Sequence, residues 1–288
     1  MLSGASASDA VMRSLLLASL ALGSSAHYIW QTSNVNETVI SFGEAAGVPG
    51  DKHVLTAISG ITTGRVAVVG GVAPPKNLSF SERDSGATGV LVAALPFAGA
   101  DGVAVEAAAE YGSFEAPGAA GPVFLKYYAS APVAPRPSDW VMVQDALQNE
   151  FEVTLRDPYV RDAGGDFVGV NVRGGPGDQC PFGDPTVEGD ACVVAVVRLY
   201  GATPGRVNVT TFDEAGAELR TSTSNADGVL VVRVPCGPPD RQGHVAARVF
   251  ARANYREATT STEYLYVDHF ATTSATVSRA AAPASSPS

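Results

Sequence analysis

The chain has 288 residues, enough for two domains or one large β domain, and its 45% hydrophobic content can fill real cores. With 19 Lys+Arg against 29 Asp+Glu, a net charge of -10 and no basic cluster, it argues against a nucleic-acid partner or an anionic membrane surface. Its 30 glycines and 19 prolines interrupt the sequence too often for long helices and suit short strands and turns.

Residues 12–26 have the form of a secretory signal peptide. Arg13 is the positive n-region, Leu15 to Leu22 the apolar h-region, and Ser24 and Ala26 the small residues before a cleavage point. The apolar run is well short of the ~20 residues that a spanning helix needs. No second membrane segment is expected, because Pro96, Asp101 and Glu106 break the other apolar region. Residues 1–26 are therefore read as a leader, and the mature protein as secreted or periplasmic. Cleavage would make His27 the first residue. An N-terminal His offers its α-amine, of pKa roughly 8, and its imidazole Nδ1 to one metal ion, and a further imidazole would complete a three-nitrogen copper brace.

Strand-like runs follow at 39–42, 53–58, 65–69, 77–82, 89–95, 103–110, 123–129, 140–144 and 151–156. A second series occupies 167–173, 192–200, 206–212, 218–223, 229–234, 244–252 and 262–277. Many alternate apolar and polar residues, as Leu230, Val232 and Val234 do around Arg233. Asn225-Ala-Asp-Gly228 reads as a hairpin turn, its Asp-Gly pair accepting positive φ. The expected fold is all-β, two β-sandwich domains (immunoglobulin-like or transthyretin-like) in series. The first spans 27–130 and the second 140–278 with an inserted loop at 174–191. A Pro-rich linker at 131–139 joins them, and a disordered Ala/Pro/Ser tail occupies 279–288.

Three sequons, at Asn36, Asn77 and Asn208, are glycosylation candidates. Asn208 stands between two valines that should face inward. Of the three cysteines, Cys180 and Cys192 flank a Gly/Pro/Asp-rich loop and are the disulfide candidates, with Cys192–Cys236 as the rival pairing. No G-x-S-x-G elbow, P-loop, dinucleotide fingerprint, H-E-x-x-H helix or EF-hand loop occurs, so no local motif announces a reaction. The histidines are His27, His53, His244 and His269. His53 and His244 sit at strand starts and read as edge or packing residues. His269 lies among aromatics near the C-terminus. Asp268 falls on the opposite face of an ideal strand and is not expected to orient it.

The ordered set Ala26-His27-Tyr-Ile-Trp30, Phe42-Gly-Glu44, Glu110-Tyr-Gly112, Tyr127-Tyr-Ala129 and Tyr266-Val-Asp-His269-Phe-Ala-Thr272 resembles a periplasmic family of unknown function found beside nickel and cobalt uptake systems. The likeness covers most of residues 26–277. The C-terminal half also resembles transthyretin-like or carboxypeptidase-regulatory-like sandwiches. The resemblance implies metal handling outside the cytoplasm, with His27 and His269 as ligands, Glu44 as a third ligand or its neighbour, and a membrane transporter as partner. The loop bearing Cys180 and Cys192 departs from the family, and the sequons suit a eukaryotic host.

Three functions fit. The first is a secreted protein binding one transition-metal ion, copper or nickel/cobalt, at His27, His269 and Glu44. The second is an extracellular adhesive or structural module that binds protein or glycan. The third is a copper-dependent oxidative enzyme acting on polysaccharide.

Overall fold

The computed structural model describes residues 27–46, 48–68, 74–96, 102–115, 120–133, 149–156, 190–235 and 244–280. The leader, the strands expected at 140–144 and 167–173, linker residues 134–139, loop residues 174–189 with Cys180, Cys236 and tail residues 281–288 lie outside them. So do the side chains of His53, Cys192 and His244.

The described residues are almost entirely β. In order, the elements are β1 (Tyr28–Ser33), β2 (Glu37–Gly43), β3 (Gly50–Asp51), α1 (Lys52–Ser59), β4 (Thr62–Val68), β5 (Lys76–Leu78), β6 (Ser81–Ser85), β7 (Thr88–Ala94), β8 (Val103–Phe114) and β9 (Val123–Ser130). They continue with β10 (Phe151–Arg156), β11 (Asp190–Leu199), β12 (Asn208–Phe212), β13 (Glu218–Thr223), β14 (Val229–Pro235), β15 (His244–Ala258) and β16 (Tyr266–Ala280).

Two local expectations change. Residues 53–58 belong to α1 rather than a strand: Leu55 and Ile58, three apart, share one helical face and are both fully buried. Tyr28-Ile-Trp-Gln-Thr-Ser, not expected as a strand, forms β1. Val133, within the expected linker, exchanges backbone hydrogen bonds with Val103.

Among the described residues the strands form three sheets. The central one has eight strands in the order β13-β12-β15-β16-β9-β8-β4-β5. Its N-terminal and C-terminal halves meet at one seam, where β16 pairs with β9 in parallel, Val267 opposite Phe124 through Thr273 opposite Ser130. Strands of both halves thus share one sheet among the described residues.

Alternation gives the central sheet two apolar faces. On one face, Tyr128, Val209, Val249, Ala251, Ala253, Ala271 and Ala275 pack against Phe151, Val153, Val193, Ala195, Val197, Leu230, Val232 and Val234 of the three-stranded sheet β10-β11-β14. On the other, Ala107, Ala109, Leu125, Tyr127 and Ala129 pack against Ile29, Ile40, Phe42 and Leu91, with Leu55 and Ile58 of α1. These belong to the sheet β1-β2-β7-β3, to which β6 adds on β7. Each fully buried large apolar side chain contributes roughly 1.5–3 kcal/mol, so the two interfaces hold the layers together. The three-stranded sheet is apolar on both sides, because Val194, Val196, Val229 and Val231 form a separate buried cluster. That explains the unbroken Val-Val-Ala-Val-Val run in β11.

The Asn225–Gly228 turn forms, with Gly228 at φ 73° and the Asn225 side-chain oxygen accepting from the backbone of Asp227 and Val229. It is not a hairpin, however. It carries the chain from β13 in the central sheet to β14 in the three-stranded one.

Candidate functional site

Strand parity fixes the surroundings of His269. It pairs with Tyr255 of β15 on one side and Lys126 of β9 on the other. Side chains in register share a face, so His269 points with Lys126, Tyr128, Tyr255 and Glu257 toward the three-stranded sheet. It is 0% exposed. Phe270 and Thr272 point the opposite way, as does Asp268, which pairs with Arg256 at 2.8 and 3.0 Å and does not orient the imidazole.

The polar side chains around His269 form one chain of hydrogen bonds. His269 Nε2 lies 2.9 Å from Glu257 Oε2, which also accepts from the Tyr200 hydroxyl at 3.2 Å. His269 Nδ1 lies 3.4 Å from the Tyr128 oxygen, and the Tyr128 hydroxyl donates to Glu150 at 2.9 Å. Lys126 Nζ donates to Glu150 at 2.7 Å and sits 3.2 Å from Glu110. The rings of Tyr128, Phe151 and Tyr200 stand 6.0, 5.9 and 6.5 Å from the imidazole.

Burial pushes the His269 imidazole below its ordinary pKa, outweighing the upward pull of Glu257. Burial likewise drives the Tyr128 hydroxyl far upward, and its bond to Glu150 adds to that. For Lys126 burial acts downward, but its bonds to Glu150 and Glu110 win and hold it above its usual value. Glu150 is held low, because Lys126 and Tyr128 together overcome its own burial.

Tyr128 and Glu150 also line a groove of about 860 Å³ over the N-terminal half of the same face, with Thr63, Arg65, Glu106 and Glu110. Arg65 pairs with Glu106, which is almost fully buried.

His27 lies elsewhere. It precedes β1, and its ring stacks on Phe42 at 5.6 Å. Phe42 contacts Tyr127, and Tyr127 stacks on Phe270. His27 is therefore on the Phe270 side of the central sheet and His269 on the other. The expected pairing of these two histidines does not form, because alternation along β16 turns His269 away from the face on which β1 and β2 pack. The Nδ1 of His27 is buried and has no hydrogen-bond partner. Burial lowers the His27 pKa, and the nearby charge of Glu44 opposes that shift. Among the described residues, no three His, Cys, Asp or Glu side chains converge as a metal-holding group.

His53 is in α1 and His244 opens β15. Asn36, Asn77 and Asn208 are all exposed, and Val207 and Val209 are buried on either side of Asn208 as their alternation requires. No helix among the described residues is long and apolar enough to cross a membrane.

Sequence reasoning missed Glu150, Tyr200 and Glu257. The one local signal was Tyr200-Gly201 at the end of the strand-like run 192–200, where a tight turn would favour Asn-Gly.

No protein family matches this chain, and no curated protein matches it. Among solved structures, a biofilm-associated protein, BSP domain, is similar at 10% identity and a TM-score of 0.18, over 90% of this chain. The chain spans 30% of that protein's length, and a likeness this slight carries no argument about fold or function.

Proposed function

We propose that the mature protein is extracytoplasmic and binds one transition-metal ion, copper or nickel/cobalt, at an amino terminus created by cleavage after Ala26. The reading rests on the buried, unpartnered Nδ1 of His27. A buried polar atom without a partner is costly, and this is the atom that would chelate together with the α-amine. Glu44, whose charge His27 senses, supplies a third, oxygen ligand. A nitrogen-rich pair favours Cu(II) by intrinsic affinity, with supply deciding the metal in the cell. His269 has no part in this site, so the reading is a carrier and not a brace-type oxidase. The resemblance to the nickel- and cobalt-associated family supports it.

The test is amino-terminal sequencing of the secreted protein, then Cu(II) and Ni(II) titration. The chain should begin at His27 and bind one ion, His27→Ala should abolish binding, Glu44→Gln should weaken it and His269→Gln should leave it unchanged. A different first residue, or unchanged binding by His27→Ala, overturns the reading.

The open groove of mixed polar and apolar lining favours a second reading, an extracellular module that takes a protein or glycan over Thr63, Arg65 and Glu110. It predicts binding that is indifferent to His27→Ala.

A further inference from the structure

The groove over the N-terminal half of the central sheet carries two ion-pair clusters built in opposite senses. At one end Arg65 lies outside and Glu106 inside, their side chains 48% and 5% exposed. At the other end the cation is inside. Lys126 is 17% exposed, whereas Glu110 and Glu150, which both pair with it, are 63% and 44% exposed. A ligand entering the groove therefore meets a guanidinium first at one end and carboxylates first at the other.

Strand register sets the distance between the ends. Arg65 stands opposite Glu106, Thr63 opposite Ala108 and Lys126 opposite Glu110. Glu106 and Glu110 are four residues apart on β8, a rise of about 14 Å in an extended strand. Between them the same face carries Thr63 and Ala108, whose small side chains leave a shallow floor. Ile61, just before β4 and exposed, adds an apolar contact beside the carboxylate end.

An extended peptide laid along β8 has the same rise and the same alternation. Its residues i, i+2 and i+4 would face the guanidinium end, the floor and the carboxylate end in turn. The Arg65 guanidinium already meets Glu106 through Nε and Nη2, and the several N–H donors of such a group serve more than one acceptor. At the other end two carboxylates face one ammonium, so a ligand ammonium completes the balance. Charge of both signs at this spacing is what a peptide carries. A neutral glycan would use neither end and a uronate chain only one. Sugar rings also pack on open aromatic faces, and Tyr128, the one aromatic residue of the lining, is buried.

We propose that the groove binds an extended peptide segment of a partner protein, with an acidic residue at Arg65 and a basic residue four positions away at Glu110 and Glu150. The proposal rests on the groove reading above, choosing protein over glycan, and is independent of metal binding at His27. Complementary charge at both ends fixes the register of the peptide, and the floor between accepts a larger middle side chain.

The experiment is an NMR titration of the secreted protein with end-blocked peptides, read at the backbone amides of Thr63, Ala108 and Glu110. Asp-Ser-Val-Ser-Lys should give saturable shifts there. Ser-Val-Ser-Asp-Lys, of the same composition with its charges adjacent, should bind about tenfold more weakly. Glu110→Lys should reverse the preference, weakening Asp-Ser-Val-Ser-Lys and gaining Asp-Ser-Val-Ser-Asp, and His27→Ala should change nothing. Equal binding of the two isomeric peptides, or an unchanged preference in Glu110→Lys, overturns the proposal. Cellohexaose shifting these amides where no peptide does overturns it as well, but leaves the groove reading standing. Silence toward every probe removes both.

Discussion

The hydroxyl of Thr272 donates to the main-chain oxygen of Ile29 across 2.5 Å, linking residues 243 positions apart. Two residues on, Ser274 does the same for Gln31 at 2.6 Å. β1 is an edge strand, and its outward carbonyls would otherwise be unpaired in a buried setting. The face of β16 supplies hydroxyls at the two-residue spacing those carbonyls need.

Thr272→Val should therefore leave the Ile29 carbonyl buried and unsatisfied, at a cost of about 1–3 kcal/mol. Ser274→Ala should cost a similar amount. Urea denaturation measures both, and a loss below about 0.5 kcal/mol for each would show that the edge is capped some other way.

The Arg65–Glu106 pair should give a pH-dependent loss. Burial holds the Glu106 carboxyl above its ordinary value, against the pull of Arg65. A carboxyl with a raised native pKa binds protons more readily folded than unfolded, so the folded state gains relative stability as pH falls through that pKa. Arg65→Ala strands the anion and should cost on the order of 1–3 kcal/mol at about pH 8, discounted because Arg65 is half exposed. At about pH 4.5, below the raised pKa of Glu106, the carboxyl is largely neutral and the loss should shrink. A penalty equal at both pH values would contradict this account, and Arg65→Ala with Glu106→Gln should recover most of it.

Gly228→Ala should be costly for two separable reasons. The position has φ of 73°, and an added Cβ would stand 2.7 Å from the Val197 carbonyl oxygen. The expected loss is about 1–3 kcal/mol by thermal or chemical denaturation, whereas Gly86→Ala, at φ 75° with open space around it, should cost only the strain of its backbone.

Metal affinity at His27 should depend on pH chiefly through the α-amine. Burial lowers the imidazole pKa, so that ring competes weakly with protons near neutrality. The amine, of pKa roughly 8, must lose a proton, and affinity should fall about tenfold per unit of pH below that value. Titrations at three pH values check the slope, and a flat profile would remove the amine from the ligand set.

Much of the fold is legible locally. Leu230, Val232 and Val234 face the core as their alternation predicts, and Asp268 turns away from His269 by the same rule. What was not legible depends on partners distant in sequence. The Asn225–Gly228 turn is plain, but whether it closes a hairpin or changes sheet depends on where β12 and β11 lie. Both His27 and His269 are conspicuous. Whether they meet depends on which side of β16 receives the N-terminal strands, and nothing near either residue encodes that. Residues 53–58 were ambiguous because a short apolar run fits either period, and packing of Leu55 and Ile58 beneath β7 decides it.

The parallel seam between β9 and β16 also bears on how the protein is made. Ser130 and Thr273 share a hydrogen bond across 143 positions, so β9 waits for nearly the whole chain before its neighbour exists. During synthesis the N-terminal half leaves the ribosome with an open strand edge and an unfinished core, a state prone to sticking to other chains. Closing so long a loop late makes folding slow and sensitive to truncation. Loss of the final strand would deprive both halves at once, so the seam makes completeness of the chain a condition for folding either half.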